Sequence, residues 1–523
     1  MAAKVLNRPA HCSAVLLAIV LLTVAADALK VHGAENNNFA TALNSIRVDQ
    51  LQRHVETLAD DALEGREAGT RGGRAAGLYL RNELRLYGLE GAAEGDGYFQ
   101  IFSGRYRNVL GKIEGSDPKL KHEFILIGAH YDHVGYGSRR NSFGPLGHIH
   151  NGADDNASGT SGLLEVIEAF SKLDRLPRRT VLFAFWDAEE KGLLGSKYYI
   201  SRPAAPLNQT KAVLNVDMIG RLREDRLMVH GSRTAAGWRG LASRLNETDL
   251  TMDFTWELKG NSDHYPFFQR RIPVLMLHTG LHDDYHRPRD DAKKVNVDGI
   301  QRVSRLLFSI AYELANSDRS ADFREQARKE TPAQQKKLLA QQVVKLPKRL
   351  GVSWRPNEVL LNGLRITGVE RNSPAQRSGL RGGDRIVLFD ATAIADGGDL
   401  KAAVVSARNP VPIVVQREGS GEPVRINIRL VGRPYRLGIS WRTDDAEPGV
   451  LILNRVVPGS PAQRAGLQLN DRIYEFEHRQ IEHVDDFLQA ARTRVGSLTL
   501  LVEREGRLHE VVVEDLPANN SGE

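Results

Sequence analysis

Lys211-Ala-Val-Leu-Asn-Val216 is a nearly unbroken apolar run closed by an acid, Asp217. A run of this kind, without polar alternation, reads as a strand covered on both faces, as in parallel sheets. An acid ending such a strand must be paired, liganded or at the sheet edge. Three more runs share the character: Glu123-Phe-Ile-Leu-Ile-Gly-Ala129, Arg179-Thr-Val-Leu-Phe-Ala-Phe185 and Ile272-Pro-Val-Leu-Met-Leu277. His130, Glu190 and His286 follow them in turn. Side chains just past the strands of an open sheet converge in one crevice, so residues far apart in sequence can share a site. Asp154 is placed differently, in the turn Asn151-Gly-Ala-Asp-Asp-Asn-Ala-Ser-Gly159 that feeds an apolar-periodic helix from Gly162 to Leu173. The expected fold is α/β: a mixed, mostly parallel sheet with helices on both faces.

His130, Asp154, Glu190, Asp217 and His286 form a set of two imidazoles and three carboxylates that suits zinc, with manganese or cobalt as substitutes. If one carboxylate bridges, the set can hold two ions and leave coordination positions open, which a closed structural site would not. Two ions roughly 3.5–4 Å apart can polarise a carbonyl and acidify water. Glu189, beside Glu190 in Trp186-Asp-Ala-Glu-Glu-Lys191, is the expected general base, because neighbouring residues at a strand end point in different directions.

Taken singly, each element has an ordinary explanation. His130-Tyr-Asp132 resembles a hydrogen-bonded pair, Glu189-Glu190-Lys191 a solvated turn, and Asp154-Asp155 a turn and helix cap. Their joint occurrence is what points to a metal centre.

The segments Gly128-Ala-His-Tyr-Asp-His-Val134, Asn151 to Gly159, Ala188-Glu-Glu-Lys-Gly-Leu-Leu-Gly-Ser196, Asn215-Val-Asp-Met-Ile-Gly220 and Tyr285-His-Arg-Pro288 resemble the co-catalytic di-zinc exopeptidases, which include bacterial leucine aminopeptidases and glutamate carboxypeptidase II. Asp61-Ala-Leu-Glu-Gly-Arg-Glu-Ala-Gly-Thr70 and Gly97-Tyr-Phe-Gln100 are similar to that family's opening. The resemblance covers about residues 45–316. It implies Asp154 as bridging ligand, His130 and Asp217 on one zinc, Glu190 and His286 on the other, and Glu189 as base. It also implies Asp132 as the carboxylate orienting His130, and a cis peptide between Asp154 and Asp155.

One departure matters, because related aminopeptidases carry a tyrosine two residues before the Asp of a Ser-Asp-His segment, where it stabilises the oxyanion. Here Gly260-Asn-Ser-Asp-His264 has Asn261. The work then falls to Asn261, to Tyr131 or Tyr265, or to the zinc ions alone, with Asp263 and His264 as further substrate-side candidates. His133, His148, His150, His264 and His282 lie in the same loops and read as pocket or surface residues.

Beyond residue 345 the chain repeats itself. Arg349-Leu-Gly-Val-Ser-Trp-Arg355 recurs as Arg436-Leu-Gly-Ile-Ser-Trp-Arg442, and Ser373-Pro-Ala-Gln-Arg-Ser-Gly-Leu380 as Ser460-Pro-Ala-Gln-Arg-Ala-Gly-Leu467, at the same displacement. That interval is longer than solenoid periods of about 20–50 residues, so whole small domains are duplicated. Both copies, about 346–430 and 433–516, resemble β-rich PDZ domains in their bacterial arrangement. The resemblance implies that Leu350, Gly351 and Val352, and Leu437, Gly438 and Ile439, offer backbone N–H groups to a peptide's C-terminal carboxylate. Packing of either copy against the peptidase domain, with its groove unused, is the alternative.

Lys4 and Arg8 precede an apolar stretch from Ser13 to Ala26, and Ala26-Asp-Ala28 fits a small-residue cleavage site, so residues 1–28 read as a signal peptide of a secreted or periplasmic protein. The stretch is short for a bilayer span, and an uncleaved anchor is the alternative. The single cysteine, Cys12, falls inside this segment, leaving no thiol chemistry in the mature chain. With 523 residues and 41% hydrophobic content the chain can fill about three domains. A formal charge of +6, with acids and bases interspersed, gives little support for nucleic-acid binding. Residues 317–345 read as a charged linker and 517–523 as a disordered tail. The expected activity is that of a zinc exopeptidase with two ions per chain, acting on peptides as an aminopeptidase. A glutaminyl-cyclase-like acyltransferase with one zinc, or a non-catalytic peptide-binding scaffold, are the alternatives.

Overall fold

The computed structural model describes residues 38–340, 349–355, 363–432 and 436–516. The expected signal peptide, the end of the expected linker and the C-terminal tail lie outside these residues. The chain divides into two compact units, Met1–Ala235 with Leu245–Lys329, and Ala236–Arg244 with Glu330–Glu523.

The first unit is built on a nine-stranded sheet. In chain order its strands are β1 (Glu90–Gly91), β2 (Phe99–Phe102), β3 (Tyr106–Ile113), β4 (Phe124–His130), β5 (Thr180–Trp186), β6 (Thr210–Val216), β7 (Arg226–His230), β8 (Thr251–Thr255) and β9 (Val274–His278). Across the sheet they run β1-β3-β5-β4-β6-β9-β7-β8, with β2 paired to β3. The central strands β5, β4, β6 and β9 are parallel, and β3 and β7 join them antiparallel. The four apolar runs of the sequence are these central strands.

Their continuous apolarity follows from cover on both faces. Helices α1 (Val48–Leu58), α2 (Arg71–Leu86), α3 (Gly159–Ser171), α4 (Leu194–Ser201), α5 (Trp238–Arg244), α6 (His264–Gln269) and α7 (Val297–Asn316) supply the layers, α5 excepted. On the face of α3 and α7, Phe170 stacks edge-on against Phe183 of β5 and Phe308 of α7, with centroids 5.8 and 5.0 Å away. On the other, Leu182, Ala184 and Trp186 of the same strand pack with Tyr199 of α4 and Phe267 of α6. Gly128 in β4 makes room for this packing, since a Cβ there would lie 2.5 Å from the Trp186 ring nitrogen.

The second unit contains two β-rich domains, each a six-stranded sheet with its own apolar core. Its N-terminal part includes a helix, α8 (Pro332–Leu339), begun by a capping box between Thr331 and Gln334. Helix α5 belongs to this unit although its sequence lies between β7 and β8, inside the stretch 45–316 expected to be one domain. The reason is electrostatic and steric: Arg239 of α5 makes a two-pronged ion pair with buried Glu503 (2.8 and 3.0 Å), and Gly240 lets the helix approach Tyr474. Among the described residues no helix is long and apolar enough to cross a membrane.

Candidate metal centre

Three strand ends and two loops deliver the candidate ligands to one crevice. His130 ends β4, Asp217 follows β6 directly, Glu189 and Glu190 follow β5, and His286 lies in the loop after β9. The last contribution comes from the one-turn segment Ala153–Ser158 that enters α3. Two groups of ligand atoms result: His130, Asp155 and Asp217, and His133, Asp155, Glu190 and His286.

Asp155 is common to both groups, and its two oxygens are divided between them. Oδ1 lies 3.4 Å from His130 Nε2, while Oδ2 lies 3.0 Å from His286 Nε2 and 3.7 Å from His133 Nδ1. His130 Nε2 is 3.3 Å from Asp217 Oδ1, and His286 Nε2 is 3.1 Å from Glu190 Oε1. Donors on one tetrahedral zinc at bonds of about 2.0–2.2 Å stand roughly 3.3–3.6 Å apart, so both groups fit an ion.

The residue common to both groups is therefore Asp155 and not Asp154, where the shared ligand was expected, and the cis peptide lies one residue on, between Asp155 and Asn156. Asp154 faces elsewhere. Its Oδ1 accepts from the Gly220 N–H (2.6 Å) and the Ser158 hydroxyl (3.0 Å), and its Oδ2 is 3.1 Å from His282 Nε2. The turn enters through Gly152 in the left-handed region (φ 54°), and that path leaves Asp155 on the crevice side. Two adjacent acids in a turn carry no periodicity to tell them apart.

Polar groups around the centre hold its loops together. Asn156 donates to the carbonyls of His130 and Val216 and accepts from the N–H of Met218 and Gly159, linking β4, β6 and α3. Buried Arg66 donates to the carbonyls of Leu58, Tyr131, Asn151 and Gly152. Asp132 lies beside His130, whose Nδ1 is 3.9 Å from its carboxylate and 3.2 Å from its carbonyl oxygen, and its Oδ1 accepts the Glu189 N–H. The Asp132 carboxylate thus holds the backbone of the expected base, while the group within hydrogen-bond distance of the His130 imidazole is the Asp132 carbonyl and not the carboxylate expected to orient it.

Glu189 belongs to neither ligand group. Burial raises its carboxyl well above the usual range, partly offset by His130, with Glu190, Asp263 and Asp217 adding to the rise. Burial disfavours the cationic form of His286, but Asp155 and Glu190 override it and bring the imidazole up to about 10. Asp155 moves oppositely: burial opposes its ionisation, and His130 and His286 hold it well below the ordinary value.

The oxyanion candidates separate clearly. Asn261 is exposed. The Tyr131 hydroxyl donates to the Arg107 carbonyl, and Tyr265 packs beside Gly260 and Phe268. Asp263 is buried and accepts from the Ser196 hydroxyl, while His264 is buried and pushed down to about 3 by that burial. Tyr285, unremarked in the sequence beyond its place before His286, is an aromatic at the centre, with Phe143 farther out. Its ring stacks on His286 with centroids 3.9 Å apart. Burial, then the fields of Asp155, Glu190, Asp217 and Glu189, raises its hydroxyl pKa, so it stays a donor. His133 also departs from its expected place, standing 3.0 Å from Glu190.

The loops expected to receive a peptide carboxylate in the two β-rich domains match each other. Gly351 (φ 81°) and Gly438 (φ 82°) sit in the left-handed region, and a Cβ at either would lie 2.3 or 2.1 Å from the Cβ of Ser373 or Ser460. Only glycine fits. Leu350 and Leu437 are buried beside them, and Val352 and Ile439 begin the edge strands Val352–Trp354 and Ile439–Asp444. In both copies the strand's tryptophan turns to the neighbouring helix: Trp354 against Gly397, Trp441 edge-on to Phe487 at 5.3 Å.

Residues 108–311 match the model of peptidase family M28, and residues 348–430 and 452–504 match two PDZ domain models. The chain carries an M28 peptidase domain followed by two PDZ domains. Among curated relatives, leupeptin-inactivating enzyme 1 of Streptomyces exfoliatus is 27% identical over 268 residues, covering 51% of this chain and 56% of that protein. Leucine aminopeptidase 2 of Trichophyton rubrum is 28% identical over 243 residues, covering 41% and 45%. This chain spans about half the length of these curated relatives. A zinc aminopeptidase structure from Bacillus subtilis superposes with a TM-score of 0.42 at 17% identity, covering 54% of this chain and 98% of that one.

Proposed function

We propose that the M28 domain is a zinc-dependent aminopeptidase with two zinc ions per chain, and that the PDZ domains bind peptide C-termini. The observation that carries this reading is the division of the Asp155 carboxylate between two ligand groups. His130, Asp217 and one Asp155 oxygen would hold one ion; Glu190, His286 and the other oxygen would hold the second. Bound there, the ions supply Lewis acidity to the scissile carbonyl and to water. Glu189 takes the proton of the attacking water and returns it to the leaving amine. Its burial suits that task, since a raised carboxyl pKa lies nearer the operating pH. The Tyr285 hydroxyl is the donor available to the developing oxyanion.

The test is a peptide library digested by the zinc-loaded protein. Loss of single residues from the N-terminus is expected, and cleavage from the C-terminus or internally would overturn the aminopeptidase reading. Glu189→Gln should lower kcat by several orders of magnitude while both ions stay bound; an unchanged rate would remove Glu189 as base. We also propose that the protein is exported with residues 1–28 removed, which N-terminal sequencing of the mature protein tests.

A further inference from the structure

His133 lies in the Gly128–Val134 segment but outside the five-ligand set that the sequence suggested. Its side chain is buried, and Nδ1 points into the group formed by Asp155, Glu190 and His286. The separations are 3.0 Å to Glu190 Oε1 and 3.7 Å to Asp155 Oδ2. The other two contacts of that group, His286 Nε2 to the same two oxygens, measure 3.1 and 3.0 Å. Four donor atoms thus bracket the roughly 3.3–3.6 Å spacing of a tetrahedral zinc shell. The ring is also fixed from behind, because Gly152 leaves space that a Cβ would take, 2.5 Å from His133 Cγ and Cδ2.

We infer that His133 coordinates the ion held by Glu190 and His286, through Nδ1. The inference rests on the metal-centre reading above. It makes the two sites unequal: four protein donors surround one ion, whereas His130, Asp217 and Asp155 give the other three. The four-donor ion is then the tightly held one with little open coordination, and the three-donor ion is the exchangeable one that presents vacant positions to substrate.

The experiment is zinc retention by the full chain during dialysis against a graded chelator. The parent should lose its two ions in separate steps. His133→Ala should weaken the tighter one by more than 100-fold, beyond the roughly 10–100-fold typical of losing a residue that only orients a ligand. His133→Gln keeps an N–H donor for Glu190 but no imidazole nitrogen. It should fail to restore the tight site, and the cobalt absorption bands of the first equivalent should differ from the parent's in both variants. Restored affinity and parental bands with glutamine would overturn the inference, leaving His133 as a hydrogen-bond partner. Should the variants not fold, the parent loaded with cadmium-113 and labelled with nitrogen-15 histidine decides. Three coupled imidazoles, one through Nδ1, are expected, and two coupled through Nε2 alone would refute it. A parent that binds no zinc would refute the metal centre itself.

Discussion

Asp290 accepts hydrogen bonds at one oxygen, Oδ2, from the backbone N–H groups of both Asp154 (2.9 Å) and Asp155 (3.1 Å), while its other oxygen pairs with Arg221 at 3.0 Å. One buried carboxylate thereby sets the direction in which the shared ligand leaves the chain. Asp290→Ala frees two buried N–H groups and deprives Arg221 of a partner, each loss worth about 1–3 kcal/mol. Zinc affinity should fall about 10–100-fold, as for other residues that position ligands, and the midpoint of urea unfolding should drop. Unchanged zinc binding in a calorimetric titration would count against this role.

Arg66 is a second organiser, joining the loop that carries Tyr131 and Asp132 to the one that carries Asn151 and Gly152. Burial lowers its pKa to about 10, opposed first by Asp155 and Asp290, so it remains cationic at neutral pH. Lysine has no planar fork and cannot reach the same carbonyls together. Arg66→Lys should therefore destabilise the metal-free protein by at least about 2 kcal/mol. Urea denaturation of the chelated protein measures it, and a shift below about 0.5 kcal/mol would show that the carbonyls find other donors.

Much of this was legible beforehand because long-range order in an α/β fold is written in short-range pattern. The apolar runs located β4, β5, β6 and β9, and the rule that strand ends converge brought His130, Glu190, Asp217 and His286 together. The repeated Leu-Gly-Val/Ile-Ser-Trp motif located the PDZ domains. What failed lies in turns. Asp154 and Asp155 differ only in the backbone path after Gly152, and no side-chain period records that path. His133 and Tyr285 each neighbour a recognised ligand segment, but their contacts with Glu190 and His286 arise from loop packing. Helix α5 joins the second unit through Glu503, 264 residues away, a pairing that no local pattern records.

The pH dependence of stability should carry the mark of Asp263. Burial, ahead of the opposing pull of His130 and the Ser196 hydrogen bond, holds its carboxyl up at about 7 against an ordinary 3.8. Because the folded value is the higher, the folded state keeps a proton that the unfolded chain has released. Its contribution is full below about pH 4 and is lost as pH rises towards 7. In metal-free protein, Asp263→Asn removes that loss, so its Tm should exceed the parent's at pH 8 and match it near pH 4. The ceiling is roughly 4 kcal/mol. Thermal melts at the two pH values check it, and an equal difference at both would rule out ionisation as the cause.

Under the proposed function, Tyr285 is the oxyanion donor in a chain that has Asn261 where the resemblance led to the expectation of a tyrosine. Its hydroxyl stays protonated among the acids of the centre, and its ring lies flat on the His286 imidazole. Tyr285→Phe keeps the ring and removes only the donor. A donor used in the transition state alone should cost kcat without raising KM. Loss of one oxyanion donor typically lowers kcat about 100- to 1,000-fold, whereas Asn261→Ala, at an exposed side chain, should change it by less than about 3-fold. Steady-state kinetics on a chromogenic amide with zinc content measured in parallel separate the cases. If Tyr285→Phe matched the parent while Asn261→Ala lost activity, Asn261 would be the donor, and the ring of Tyr285 would serve only to support His286.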